Sequence, residues 1–283
     1  MFITMATIKI TEQQLKEALS LKLINFEHFI GKLYKYMPAS RVIEVIESPE
    51  HRLAFVSPEK WYDPYETKYL NTDYSSLNGY KQPRIYCFCA RMDNANEEAS
   101  WKIYKKGDEP LMRLYIDNFK FMFCLDEFAR KYDCDIYLSR IDYSLNPNEI
   151  DNLYKTSSPY YKDFFSDFND EKYIKVMSLK RKAFQYENEY RFFIRPKNMK
   201  LIKSFLNEDK SILFVPIDIN IIKKFTFSPE EKRTNSLAHQ LGRVKYRSEC
   251  QYLSKRILQS YPEAGFAFSN LYSKSQNVEI IET

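Results

Sequence analysis

Tyr186-Glu187-Asn188-Glu189-Tyr190-Arg191-Phe192-Phe193-Ile194 sets two carboxylates and a guanidinium at alternate positions in an otherwise aromatic segment. Aromatic and β-branched residues favour a pleated, half-buried surface, so the run predicts a strand. In a strand, residues i, i+2 and i+4 share a face, which projects Glu187, Glu189 and Arg191 together at a spacing of about 6.5–7 Å. Buried and unpaired, such a row is costly. Either the groups neutralise one another and nearby bases as a structural network, or they line a cleft where acid chemistry takes place.

Working outward, further strands are predicted at Leu33–Tyr36, Arg52–Val56, Arg84–Cys89, Leu111–Ile116, Cys134–Tyr143 and Ile212–Pro216. Helical spacing is read between Thr11 and Gly31, where Thr11 and Gln14 form a capping box and Leu15, Leu19, Leu21 and Ile24 to Phe29 continue the period. Other helices are expected after Ser40, at Ser100–Tyr104, Asn118–Lys131, in two pieces over Asn148–Met177, and near Asn198–Leu206. Ser228-Pro229-Glu230-Glu231 reads as a helix start and Gly242 as its stop, followed by a short strand at Val244–Tyr246, a helix at Ser248–Leu258 and an irregular or strand segment from Phe266. Strands unevenly interspersed with helices imply an α+β fold: one mixed domain with a central, mainly antiparallel or split sheet flanked by helices. The whole chain, 1–283, is read as one domain, with a basic helical extension at about 229–283.

Composition narrows the classes. Aromatic residues reach 16%, with 23 Tyr and 21 Phe but only 5 Gly. The interior should therefore be built from rings whose hydroxyls need partners. Scarce glycine argues against P-loop or dinucleotide-fold phosphate cradles, and three dispersed histidines assemble no nucleophile relay. The net charge of +5 names no partner by itself, although Lys223 to Arg256 carries nine bases against three acids. That stretch is either a solvated surface or a docking place for a polyanion. Five cysteines, without ligand-like spacing beyond Cys87-Phe88-Cys89, and no apolar export segment predict a reduced, cytoplasmic protein. Nowhere do eighteen apolar residues run together, so no membrane helix is expected.

Five boxes, taken in order, carry a resemblance: Leu33-Tyr34-Lys35-Tyr36; Phe55-Val56-Ser57-Pro58 leading to Asp63-Pro64-Tyr65-Glu66; Tyr86-Cys87-Phe88-Cys89; Trp101-Lys102-Ile103-Tyr104; and Phe184 through Glu187, Glu189 and Arg191. Over residues 33 to about 228 the chain resembles the bacterial domain-of-unknown-function family 2971. Departures stand at Tyr62, Cys89 and Phe184, where that family carries asparagine, serine and tryptophan.

The order of the boxes is also similar to the ADP-ribosyltransferase superfamily. This resemblance implies NAD as substrate, with Tyr36 or Arg52 holding the nicotinamide ribose or amide, Trp101 or Tyr104 stacking on the ring, and Glu187 or Glu189 as the catalytic carboxylate oriented by Arg191. It further implies a protein or nucleic-acid acceptor, no required metal, and a setting in bacterial conflict or phage defence. Two other classes stay open. Asp63, Glu66, Glu187 and Glu189, with Lys180 or Lys182 nearby, could gather a divalent metal for a hydrolase or nuclease. Alternatively, aromatic residues and the basic C-terminal third could make a non-catalytic nucleotide or nucleic-acid binding module.

Overall fold

A computed structural model of the chain describes residues 19, 21–24, 32–61, 63–68, 74, 77, 79–92, 98–105, 109–229 and 237–269. In chain order its elements are β1 (Leu21–Ile24), β2 (Lys32–Pro38), α1 (Ala39–Glu47), β3 (Arg52–Val56), α2 (Pro64–Lys68), β4 (Tyr86–Arg91), α3 (Glu98–Tyr104), β5 (Leu111–Asp117) and α4 (Asn118–Tyr132). They continue with β6 (Cys134–Arg140), α5 (Pro147–Asn152), α6 (Tyr161–Phe165), α7 (Asp170–Val176), β7 (Glu189–Pro196), β8 (Ile212–Pro216), β9 (Ile222–Phe227), α8 (Leu237–Ser260) and β10 (Phe266–Phe268). The fold is α+β, and its strands form a mixed sheet in which antiparallel pairs predominate. The pairs β1–β6 and β9–β10 are parallel.

The chain divides into two compact units, and β3 and β4 each begin in one and end in the other. The first unit draws its described residues from β1, Ala54–Cys89 and Leu125–Val215. Here β6 and β7 pair from Cys134↔Pro196 to Arg140↔Tyr190, so Ser139 lies opposite Arg191. Strand β7 is buried along almost its whole length, which suits its run of Phe192, Phe193 and Ile194. The core beside it is aromatic: Tyr74 stacks on Phe168 at 4.8 Å, and Tyr173 and Phe165 complete the cluster. Two of the ring hydroxyls have partners in this unit: Tyr80 donates to Asp170 at 2.7 Å and Tyr86 to the Lys210 carbonyl at 3.1 Å.

The second unit comprises Lys32–Leu53, Ala90–Cys124 and the described residues from Pro216 onward. Strand β5 sits between β2 and β9 with Tyr36↔Arg113 and Arg113↔Thr226 in register. Helix α1 buries Val42, Ile43, Val45 and Ile46 at amphipathic spacing, and the Glu109 carboxylate accepts from the Ser40 N–H in its first turn.

Several local expectations are corrected. Leu21–Ile24 is a strand, because pairing alongside Ile136–Ser139 overrides its helix-like spacing; the rest of the helix read at its flanks lies outside the described residues. Lys182–Glu187 forms a 3-10 helix, and strand β7 begins only at Glu189. Asn198–Leu206 holds turns and the short 3-10 piece Lys203–Phe205 rather than a helix. Three short helices, not two, fill the stretch ending near Met177. Gly242 does not stop a helix and Val244–Tyr246 is no strand: both lie inside α8. Strand β9 went unread because Ile222-Lys223-Lys224-Phe225 interrupts its apolar run with charge.

None of the five cysteines is in a disulfide; Cys87 and Cys89 share a face with their sulfurs 3.7 Å apart. Among the described residues no helix is long and apolar enough to cross a membrane.

Candidate functional site

Within the first unit, three carboxyl groups converge on two cations. Lys180 Nζ lies 2.5 Å from Glu187 Oε2, 3.0 Å from Glu189 Oε2 and 3.5 Å from Glu66 Oε1. Arg191 grips Glu189 with two nitrogens, Nε to Oε1 at 2.8 Å and Nη2 to Oε2 at 3.2 Å. Its Nη2 also reaches Glu66 Oε1 at 2.7 Å, and its Nη1 donates to the Met177 carbonyl at 2.7 Å. The Trp61 ring lies over the guanidinium with its centroid 4.1 Å from Cζ. Side-chain exposure is 2% for Arg191, 5% for Glu189 and 8% for Glu187, so the interaction takes place almost entirely out of water.

Backbone geometry explains the convergence. Glu189 and Arg191 share one face of β7, as strand alternation requires. Glu187 reaches the same ammonium by another route. Asn188 adopts a left-handed conformation with φ 40° and ψ 54°, which turns the end of the 3-10 helix toward Lys180. Asparagine tolerates that conformation better than most residues. Lys180 is fixed by its backbone N–H, which donates to the Asp142 carbonyl at 3.0 Å, and the Asp142 N–H donates in turn to Ser178. Glu66 is carried by the short helix α2, just before which Asp63 accepts from the Tyr65 N–H and, through its other oxygen, from Arg181 at 3.1 Å. Arg181 itself packs between the rings of Tyr65 and Phe184.

The environment divides the two neighbouring carboxyls. Burial opposes ionisation of Glu189, but Arg191 and Lys180 outweigh it and hold the group well below the usual carboxylate range. Burial pushes Glu187 up to about 7; Lys180 counters this, while the charge on Glu189 adds to it. Lys180 is held protonated, since Glu189 and Glu66 more than offset its own burial. Of the carboxyls that depart from their ordinary range, Glu187 is the one raised, and it engages Lys180 through Oε2 alone among the described residues.

Of the residues marked out by sequence, Glu187, Glu189 and Arg191 come together here. Tyr36, Trp101 and Tyr104 gather in the second unit instead: Tyr36 stacks on Tyr104 at 5.7 Å and meets the edge of Trp101 at 4.8 Å. Arg52, also in that unit, pairs with Glu50 at 2.7 Å. The two sets therefore belong to different units. Glu66 joins the carboxyl pair that a metal reading would require, but the centre of the three carboxyls is the Lys180 ammonium. The loop residue Tyr62 lies outside the described residues.

No family model, curated protein or solved structure matches the chain. The site therefore has to be read from its own chemistry. Sequence reasoning had no place for Trp61 as the cover of Arg191, or for Arg181 as the partner of Asp63. One signal was available: the two adjacent bases Lys180-Arg181, just upstream of an acidic strand, are the natural counter-charges for carboxylates that the strand would bury.

Proposed function

We propose that the chain is a group-transfer enzyme of the ADP-ribosyltransferase kind, in which Glu187 moves the proton and Glu189, Arg191, Lys180 and Glu66 position it. The observation that supports this reading is the division between two neighbouring carboxyl groups, one titrating near neutrality and the other held ionised. Environments that push paired carboxyls apart in this way are the signature of acid–base assignment. NAD as the donor rests on the order of the sequence boxes.

In the reaction, the bond between nicotinamide nitrogen and ribose C1′ breaks and nicotinamide leaves with the bonding pair. An acceptor hydroxyl or water forms the new bond to C1′, and its proton passes to the Glu187 carboxylate. A group titrating near 7 is matched to that task at neutral pH. Glu189 is not available for it, being engaged by Arg191 and Lys180 on both oxygens. It acts as a positioning residue.

The test is to incubate the protein with NAD labelled in the nicotinamide ring and with protein, DNA or RNA acceptors, and to follow release. Expected is turnover that rises as pH passes upward through about 7, and that falls 10²-fold or more in Glu187→Gln with the fold retained, a typical magnitude for a lost proton-transfer group. Absence of release with every acceptor sinks the enzyme reading. A non-catalytic binding module would then be favoured by the exposed bases Lys245 and Lys255 on α8.

A further inference from the structure

Arg113 is a charged residue in the middle of an apolar strand of the second unit. It is the one charged residue in Leu111-Met112-Arg113-Leu114-Tyr115-Ile116, a central strand hydrogen-bonded on both sides by β2 and β9. Its register partners are Tyr36 and Thr226, neither of them an acid. The guanidinium carbon lies 5.1 Å from the centroid of the Tyr34 ring and 5.9 Å from that of Trp101. Among the described residues, Nη1 of Arg113 is buried with no hydrogen-bond partner.

Rings alone do not account for this. The faces of Tyr34 and Trp101 attract the cation, but they accept no hydrogen bond of ordinary strength, so a buried N–H is left unsatisfied. Such groups are few in native proteins, and each calls for an explanation such as a water or an ion. Arg91, a buried arginine of this unit, shows the ordinary solution: it donates to Ser100 Oγ. Arg113 as a whole is only partly buried.

We propose that Arg113 is the anchor of a binding site for a small oxyanion, the phosphate or carboxylate of a ligand, with Tyr34 and Trp101 as its walls. An oxyanion supplies the acceptor that Nη1 lacks, and the planar guanidinium fork suits both phosphate and carboxylate. The aromatic walls exclude water and strengthen the charge-assisted hydrogen bond. The stacked Tyr36–Tyr104 pair is already closed and is part of the support, not a slot for a ring. This assignment stands apart from the role given to Glu187 and does not depend on it.

The experiment measures thermal midpoints of the full chain in titrations with sodium phosphate and with sodium acetate, each against sodium chloride at matched ionic strength. At least one oxyanion is expected to raise the midpoint by several degrees in a saturable manner. Phosphate alone, acetate alone or both together then says which source of the oxyanion the site takes. Arg113→Met is expected to weaken the response at least tenfold, yet to melt at or above the wild-type midpoint without anion, because no unpaired guanidinium remains buried. A role confined to packing predicts a lower anion-free midpoint instead. Arg113→Lys keeps the charge without the fork and is expected to fall between the two. If neither anion stabilises the wild type beyond chloride, or if Arg113→Met responds as the wild type does, the proposal is overturned; the wild-type titration alone can decide against it should the variants fail to fold.

Discussion

Glu187 and Lys180 touch at 2.5 Å, yet their removal should have unequal consequences. Lys180 contacts three carboxyls in a region largely out of water, so Lys180→Met strands negative charge in a low-dielectric interior. Breaking one partner out of a buried ionic network typically costs 3–5 kcal/mol. Urea unfolding at pH 7 is expected to show a loss of about that size for Lys180→Met, and no loss for Glu187→Gln, whose neutral amide can still accept from the ammonium. Equal losses in the two variants would show that Glu187 is ionised. The residue scale is also where sequence was most legible. Alternation correctly put Glu189 and Arg191 on one face, where the guanidinium grips the carboxylate. It could not reveal that Glu66, more than a hundred residues upstream, shares the same arginine, since that contact depends on how the short helix α2 packs and leaves no trace in local spacing.

Elements were read well wherever period and punctuation agreed. β2, β3, β5, α3 and α4 lie close to their expected bounds because apolar spacing and flanking turn residues pointed the same way. They were misread where one local signal was weighed alone. Glycine at 242 looks like a stop, but α8 continues through it, with Leu241, Val244 and Tyr252 exposed. A glycine within an exposed helix costs roughly 0.5–1 kcal/mol relative to alanine, chiefly through the entropy of the unfolded chain. A Cβ added at Gly242 meets nothing within 4 Å. Gly242→Ala is therefore expected to stabilise the protein by roughly 0.5–1 kcal/mol, read as a rise in the urea midpoint at unchanged slope; destabilisation would mean that the helix is interrupted there after all. Asn188 taught the opposite lesson. Nothing in an apparently continuous strand pattern announces a left-handed residue, yet this single φ of 40° separates the 3-10 helix carrying Glu187 from the strand carrying Glu189.

For the molecule as a whole, the network makes stability depend on pH with two opposing signs. The folded-state pKa of Glu187 is raised from an ordinary 4.5 to about 7, so between those values the native protein holds a proton that the unfolded chain has released. Stability from this group is present below about pH 4.5 and is lost as pH rises toward 7. Glu189 runs the other way: its folded-state pKa is depressed, so its contribution is present above the ordinary carboxylate value and is lost as pH falls toward the folded one. Together the pair favours the folded state most where the windows meet, near pH 4.5. Other carboxylates contribute their own slopes, and the difference between wild type and Glu187→Gln cancels them. Denaturant unfolding of both proteins across pH 4.5 to 8 should show the wild type losing stability relative to the variant up to about pH 7, then running parallel to it. A constant difference across that range would mean that Glu187 is ionised throughout. The proton-transfer role proposed for it would then lose its physical basis, while the oxyanion site at Arg113, which draws on none of these groups, would stand or fall by its own titration.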